Sequence, residues 1–280
     1  MTLNEALFYG HEKIGKREAK IFLSHITGYS VSGVLLYSHE KISVSDYNLY
    51  TSFIARRLAG EPLQYIIGQW EFMGLPFITD RRALIPRPET ELLVEDAYEF
   101  IRKKIGENGG SVRVLDVCTG SGCIPISIAC LTDGRVEITA TDISKDAICL
   151  ARENAHKNGL SAERINFLQT DLMDGIKDKF DVIISNPPYI LSGDMATLSP
   201  TVRDHEPHLA LDGGTDGMDF YRRLIPQSKN ALNHGGALFL EIGPPAVMGL
   251  MADIGFSNIN LRRDYAELER IVTGTHEGAI

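Results

Sequence analysis

No apolar run in this 280-residue chain is long enough to span a membrane. The first twenty residues hold no signal-like apolar core, and Glu5, Glu12 and Glu18 are residues that a transit peptide avoids. Cysteine is scarce. Cys118, Cys123, Cys130 and Cys149 have no C-x-x-C spacing and no histidine among them, and His11, His25, His39 and His205 show no metal spacing. No metal is therefore expected, and reduced thiols in a cytoplasmic protein are. Positive charge is also short: 28 Lys+Arg face 37 Asp+Glu, a net −9. That balance, with no Lys/Arg-rich appendage, argues against stable nucleic-acid binding. Repeats and low-complexity tracts are absent. Trp70 is the single tryptophan, and packing is its expected role.

What remains is ordinary globular composition, 44% hydrophobic and 23% charged, long enough for two cores. Residues 1–60 read as a helical domain. Ala19, Leu23 and Ile26 fall at helical spacing, and Ser43 or Ser45 caps a helix over 46–58 that Gly60 stops. Residues 1–75 carry seven acids and seven bases, so nearly all of the net charge lies beyond them. Residues 61–84 read as a β-hairpin linker, with Gln64-Tyr65-Ile66-Ile67 and Trp70-Glu71-Phe72 β-like and Met73-Gly74 at the turn. Residues 85–280 form a third region. It opens on Pro86-Arg87-Pro88, with Glu89 and Glu91 in the first turn of a helix that Gly106 ends.

From residue 112 strands and helices alternate, which predicts a doubly wound, mostly parallel α/β sheet. Strands are expected over 112–117, 136–141, 165–169, 181–185 and 237–242, with terminal strands over 258–261 and 269–272. Helices are expected over 122–131, 145–158 and 246–253, and another after Asp216 is expected to break or restart at Pro226.

Ligands in such sheets sit beyond the strand C-termini. The first strand ends in Asp116-Val117-Cys118-Thr119-Gly120-Ser121-Gly122, where glycines 120 and 122 let backbone approach a ligand. Asp142 follows 20 residues after Gly122, at ribose-hydroxyl spacing. A dinucleotide fingerprint places its third glycine at 125, and this chain has Pro125. Asp116 adds a carboxylate suited to a cationic ligand. S-adenosylmethionine is favoured over a nicotinamide cofactor. Asp171 either accepts from an adenine amino group or caps the strand end.

The fourth strand runs into Asn186-Pro187-Pro188-Tyr189. Two prolines fix two φ angles and remove two donors, leaving carbonyls beside the Asn186 acceptor and an aromatic ring. Such a cluster suits a planar NH2 group; the competing reading is an ordinary proline turn. Glu241, ending the fifth strand, reads as structural.

Asp116-Val117-Cys118-Thr119-Gly120-Ser121-Gly122, Thr141-Asp142-Ile143-Ser144 and Asn186-Pro187-Pro188-Tyr189 resemble the class I S-adenosylmethionine-dependent amino-methyltransferases. Glu61-Pro62-Leu63-Gln64-Tyr65-Ile66, Ile85-Pro86-Arg87-Pro88-Glu89-Thr90-Glu91, Glu206-Pro207, Ala210-Leu211 and Gly213-Gly214 narrow this to the PrmC/HemK family of release factor glutamine methyltransferases. The resemblance implies a Rossmann-like catalytic domain and a small helical domain that grips the protein substrate. The substrate is the Gly-Gly-Gln glutamine of class I peptide chain release factors. Asn186, Pro187 and Tyr189 are the implied catalytic set. Pro188, Arg87 and Glu89 join them around the substrate, and Asn186 also joins Asp116, Thr119, Gly120, Gly122, Asp142 and Asp171 around the cofactor. By residues alone, Arg87 and Glu89 read equally as a salt-bridged turn and cap. The chain departs from the family pattern at Cys118, where glycine is common, at Asp204-His205, where an aromatic is usual, and at Pro226, within a segment otherwise continuous.

Two other readings remain at this level. Asn-Pro-Pro-Tyr also serves enzymes that methylate exocyclic amino groups of nucleic-acid bases, where a flipped base stacks on the tyrosine. A non-catalytic nucleotide-binding module fits the fold but leaves the acceptor cluster without a use.

Overall fold

The computed structural model describes residues 1–108 and 111–277. The last three residues of the 85–280 region lie outside the described residues. Contacts divide the chain into two units, Met1–Gln69 with Ser199–His205, and Trp70–Leu198 with the chain from Glu206 onward.

The first unit is helical: α1 (Leu3–Ile14), α2 (Lys16–Thr27), α3 (Val31–Leu36), α4 (Val44–Leu58) and α5 (Leu63–Ile67). Thr2 and Glu5 form a capping box at α1, and Ser43 is the residue that caps α4, accepting from Asp46 N. Phe22, Leu23, Tyr50 and Ile54 fill the core. The β-like reading of residues 64–67 is corrected. They form α5, because Pro62 starts a turn that buries Leu63, Tyr65 and Ile66, and Gly68 closes it with φ 77°. Burial of that face outweighs the β-branched preference of two isoleucines.

The hairpin is correspondingly shorter than 61–84. It is β1 (Gln69–Phe72) and β2 (Leu75–Ile78). Phe72 and Phe77 enter the core of the second unit. The Glu91 carboxylate accepts from Met73 N at 2.7 Å, and Asn154 Oδ1 accepts from Ile78 N at 2.6 Å. Glu91 thus anchors the hairpin.

The second unit continues with α6 (Pro88–Asn108), β3 (Val112–Val117), α7 (Cys123–Leu131), β4 (Val136–Asp142), α8 (Lys145–Lys157), β5 (Ile165–Gln169) and β6 (Phe180–Ser185). After β6 a long connection carries 3₁₀ turns at Ser192–Thr197 and His208–Ala210, with α9 (Pro200–Arg203) between them. Then follow α10 (Asp219–Ala231), β7 (Leu232–Glu241), α11 (Ala246–Ile254), β8 (Ser257–Arg263) and β9 (Glu269–His276). Gly106 does not end α6, which runs two residues further; glycine lowers helix stability without stopping a packed helix.

The seven strands lie in the order β5-β4-β3-β6-β7-β9-β8. All neighbouring pairs are parallel except those that β9 makes with β7 and β8. This is the doubly wound α/β sheet expected. Alternation along β3 sends Val112 and Val114 into the core under α6 and α7, and Leu115 and Val117 into the core under α10 and α11. Strand order reverses between β3 and β6, where Val117 sits opposite Ser185. The Ser185 hydroxyl donates to Val117 O at 2.6 Å across that junction.

Helix α10 is continuous through Pro226, contrary to the expected break. Pro226 removes the donor for the Arg222 carbonyl, on the side where Arg222 and Arg223 are exposed and water can replace it. The buried face of Tyr221, Leu224, Ile225 and Ser228 holds the helix together. Pro226→Ala restores a backbone bond and is expected to stabilise the protein by about 1–3 kcal/mol. Urea titration checks this, and an unchanged or lower midpoint would contradict it.

Candidate active site

The loop from β3 to α7 turns sharply. Cys118, Gly120 and Gly122 take φ of 63°, 54° and 79°. Cys118 therefore occupies left-handed backbone, the region that favours glycine. The two glycines serve different needs. A Cβ on Gly120 would have only Ala83 Cβ nearby, at 3.9 Å, whereas one on Gly122 would lie 3.0 Å from Ala151 Cβ and 2.9 Å from Ile126 Cδ1. Gly122 is thus required for α7 to pack on α8. Gly120 is the glycine that opens backbone to the cavity.

Asp142 ties this loop to the end of β4. Its carboxylate accepts from Gly120 N at 2.9 Å and from Ser144 N at 2.8 Å, while Thr119 N donates to Thr141 O at 2.9 Å. Burial pushes the Asp142 carboxyl upward, and backbone N–H groups from Ser144, Gly120 and Ile143 counter it.

A cavity of about 250 Å³ lies over these strand ends within the second unit. Thr119, Gly120, Asp142, Asp171, Asn186, Pro188 and Arg87 line it. Asp116, Gly122, Glu89, Pro187 and Tyr189 are not on its wall. Ile143, Leu172 and Phe220 add apolar surface that sequence patterns did not mark. Together with the Asp142 carboxylate they suit a base and a ribose.

Asp171 is paired to Arg223 of α10, whose Nη2 donates at 2.7 Å. A carboxylate so placed faces the cavity as half of an ion pair, which the two sequence readings did not include. Arg87 is salt-bridged, to a residue far along the chain. Its Nη2 donates at 2.6 Å to Glu206, whose side chain is fully buried and also accepts from Ile85 N at 3.1 Å. Glu89 lies in the first turn of α6.

Asn186 connects to a buried polar chain. Its Nδ2 donates to Thr90 Oγ1 at 3.2 Å, and that hydroxyl donates to Glu241 Oε2 at 2.6 Å. Glu241 Oε1 accepts from the Tyr189 hydroxyl at 3.2 Å, and Arg270 Nη1 donates to the same hydroxyl at 3.4 Å. Glu241 is 1% exposed. Burial pushes its carboxyl upward, while the Thr90 hydroxyl, Arg270 and Tyr189 draw it back. Three glycines pin Tyr189: a Cβ at Gly213 would lie 2.6 Å from its Cα, one at Gly217 2.5 Å from its carbonyl, and one at Gly243 2.6 Å from its ring. Thr90 and Glu241 are 151 positions apart, so no local signal joins them. The structural reading of Glu241 is extended: it supports the residues at the cavity.

Asp116 stands out chemically. It is fully buried, and neither carboxylate oxygen has a hydrogen-bond partner, nor does Thr119 Oγ1. Orphaned acceptors and a hydroxyl beneath the Gly120 turn are what a cationic ligand with donors would complete, so the residues fit S-adenosylmethionine. No group of three or more potential metal ligands occurs among the described residues. Burial pushes the Asp116 carboxyl from 3.8 up to about 8. Between those values the folded chain holds a proton that the unfolded chain has lost, so stability falls as pH rises through the window. Asp116→Asn removes this titration. The melting temperature of the variant is expected to gain on wild type steadily from pH 5 to pH 8, measured without added ligand. Parallel curves would show that Asp116 is not the titrating group.

The profile described as "Methyltransferase small domain" matches residues 93–215, and "PrmC N-terminal domain" matches residues 11–68. A curated protein from Chlorobaculum tepidum, "Release factor glutamine methyltransferase", is 36% identical over 273 residues, covering 94% of this chain and 92% of that protein. A Clostridium acetobutylicum protein of the same name is 40% identical over 236 residues, covering 82% and 80%. Among solved structures, a Pyrococcus furiosus methyltransferase superposes with a TM-score of 0.52 at 18% identity, covering 81% of this chain and all of that one, a likeness of fold. With relatives this similar along nearly their whole length, and with a cavity at the β3–β6 switch point that meets Asn186, the chain belongs to the release factor glutamine methyltransferase family.

Proposed function

We propose that this protein transfers a methyl group from S-adenosylmethionine to the side-chain amide nitrogen of a release factor glutamine, that of the Gly-Gly-Gln motif in class I factors. The observation that carries the reading is the state of Asn186. One N–H of its Nδ2 is given to Thr90, which turns Oδ1, an acceptor, to the opposite side of the amide, and Asn186 lines the cavity. A substrate amide NH2 supplies the matching donor.

An amide nitrogen is a poor nucleophile because its lone pair is delocalised into the carbonyl. The cofactor supplies an electrophilic methyl on a sulfonium. The chain has to hold and polarise the nitrogen. Asn186 Oδ1 accepts one N–H. The Pro187 carbonyl accepts the other; Pro187 and Pro188 contribute no N–H that would compete for it. Both contacts strengthen as positive charge develops on nitrogen, and they turn its remaining lone pair toward the methyl. Tyr189 packs on the amide plane, its ring held by the glycines and its hydroxyl by Glu241. No acid–base role is assigned to that hydroxyl, and the proton leaves to water after transfer. Thr119, Gly120, Asp142 and Asp171 hold the cofactor on the cavity wall, and Asp116 acts from beneath it. Arg87, latched to Glu206, shapes the mouth.

The helical unit is the part we assign to gripping the release factor outside the pocket. Its amphipathic helices leave Phe8, Leu36 and Val44 well exposed, as a protein-binding surface requires. No described helix is long and apolar enough to cross a membrane. A substrate that acts at the ribosome leads us to infer a cytoplasmic location.

Incubation with methyl-labelled cofactor and a panel of release factor, DNA and RNA tests the reading. Label is expected on the glutamine of the Gly-Gly-Gln tripeptide; label on nucleic acid alone would overturn it. Asn186→Ala is expected to lower kcat on the order of 10²–10³ while the variant still binds the cofactor stoichiometrically by calorimetry. Near-normal turnover by a cofactor-saturated variant would remove Asn186 from the chemistry.

A further inference from the structure

We infer that Glu241 and Thr90 form a positioning relay that fixes which face Asn186 turns to its substrate. This rests on the amide-methylation reading above. The relay requires Glu241 as the carboxylate, the form that the Thr90 hydroxyl, Arg270 and Tyr189 favour against burial. An ionised carboxylate only accepts, so the contact between Thr90 Oγ1 and Glu241 Oε2, at 2.6 Å, uses the one hydroxyl proton of Thr90. Thr90 Oγ1 then has only lone pairs left for its other neighbour. That neighbour is the Asn186 side-chain amide at 3.2 Å, which must present its NH2. The amide oxygen is thereby directed to the remaining side, and Asn186 lines the cavity.

Without the carboxylate the same geometry is ambiguous. Thr90 could donate to Asn186 Oδ1, and the amide would turn its NH2 to the cavity. A substrate NH2 would then face another NH2, donor against donor. The relay removes that wrong arrangement before substrate arrives, which is what preorganisation requires. The same carboxylate holds the other end of the motif, because Oε1 accepts from the Tyr189 hydroxyl. One buried side chain thus orients both Asn186 and Tyr189.

Its surroundings suit that duty. Glu241 is the last residue of β7, opposite Ile271 of β9, and the backbone carbonyl of Glu241 accepts from the Tyr221 hydroxyl of α10 at 2.8 Å. The charged groups that act on the carboxylate are Arg270, which favours ionisation, and Glu89, which opposes it. Arg270 is itself held by Asp264 at 3.1 Å. Thr90 comes from the first turn of α6, so the relay spans three separate elements. Glu241 is not on the cavity wall and Thr90 is, beside Asn186; the role inferred for both is to position Asn186, and for Glu241 Tyr189 as well.

A double-mutant cycle tests this. Thr90→Val keeps the shape and removes the hydroxyl. It is expected to lower kcat on the order of ten- to a hundredfold, the range for removing a group that orients a functional one. Thr90→Ser, which keeps the hydroxyl, is expected to recover most of that loss. Calorimetric affinity for S-adenosylhomocysteine and the melting temperature are expected to stay near wild type in both. In an Asn186→Ala background Thr90→Val is expected to cost nothing more. Glu241→Gln is expected to behave like Thr90→Val. Full kcat in Thr90→Val, or an undiminished loss in the Asn186→Ala background, overturns the relay while wild-type activity leaves the function intact. A wild-type enzyme that labels no release factor overturns the underlying reading, and the relay with it.

Discussion

Everything at the site depends on the parallel pairing of β3 with β6. Val117 opposite Ser185 brings two strand ends to the same edge, and the chains leaving them turn to opposite faces of the sheet. That divergence opens the crevice. On one side it places the Cys118–Gly122 turn, braced by Asp142. On the other it places Asn186-Pro187-Pro188-Tyr189. The two loops meet because two strands are neighbours in space, although 68 residues separate the register partners.

The site is built from buried carboxylates, each with a different balance. Asp142 is compensated by backbone N–H groups. Glu206 is compensated by Arg87 and Ile85 N. Glu241 collects two hydroxyls, with Arg270 close by. Asp116 has the Thr119 hydroxyl alone to draw it back, and burial pushes its carboxyl up to about 8. A satisfied buried acid orients its neighbours; an unsatisfied one is strained until a complementary charge arrives. The contrast separates the three compensated carboxylates from the uncompensated one.

Sequence patterns went furthest where the physics is local. Strand and helix alternation, the turn glycines, the paired prolines and the cap at Ser43 report on residues within a few positions of one another. They failed where packing overrode propensity. The α5 turn looked β-like until burial of Tyr65 and Ile66 is counted. Pro226 looked like a break until the apolar face of α10 is counted. Gly122 looked like a ligand glycine, yet the side chain it makes room for is Ala151 of α8.

The sequence by itself determined the α/β class, through the alternation of strand and helix periodicity, and the cofactor type, through the glycine turn, its acidic neighbours and the resemblance that these residues carry. The tertiary structure alone decided the partners: Thr90 and Glu241 for Asn186, Glu206 for Arg87, Arg223 for Asp171. Those contacts join residues 52 to 151 positions apart. No local pattern encodes them, because a hydrogen bond between distant elements exists only once the sheet has set their separation and direction.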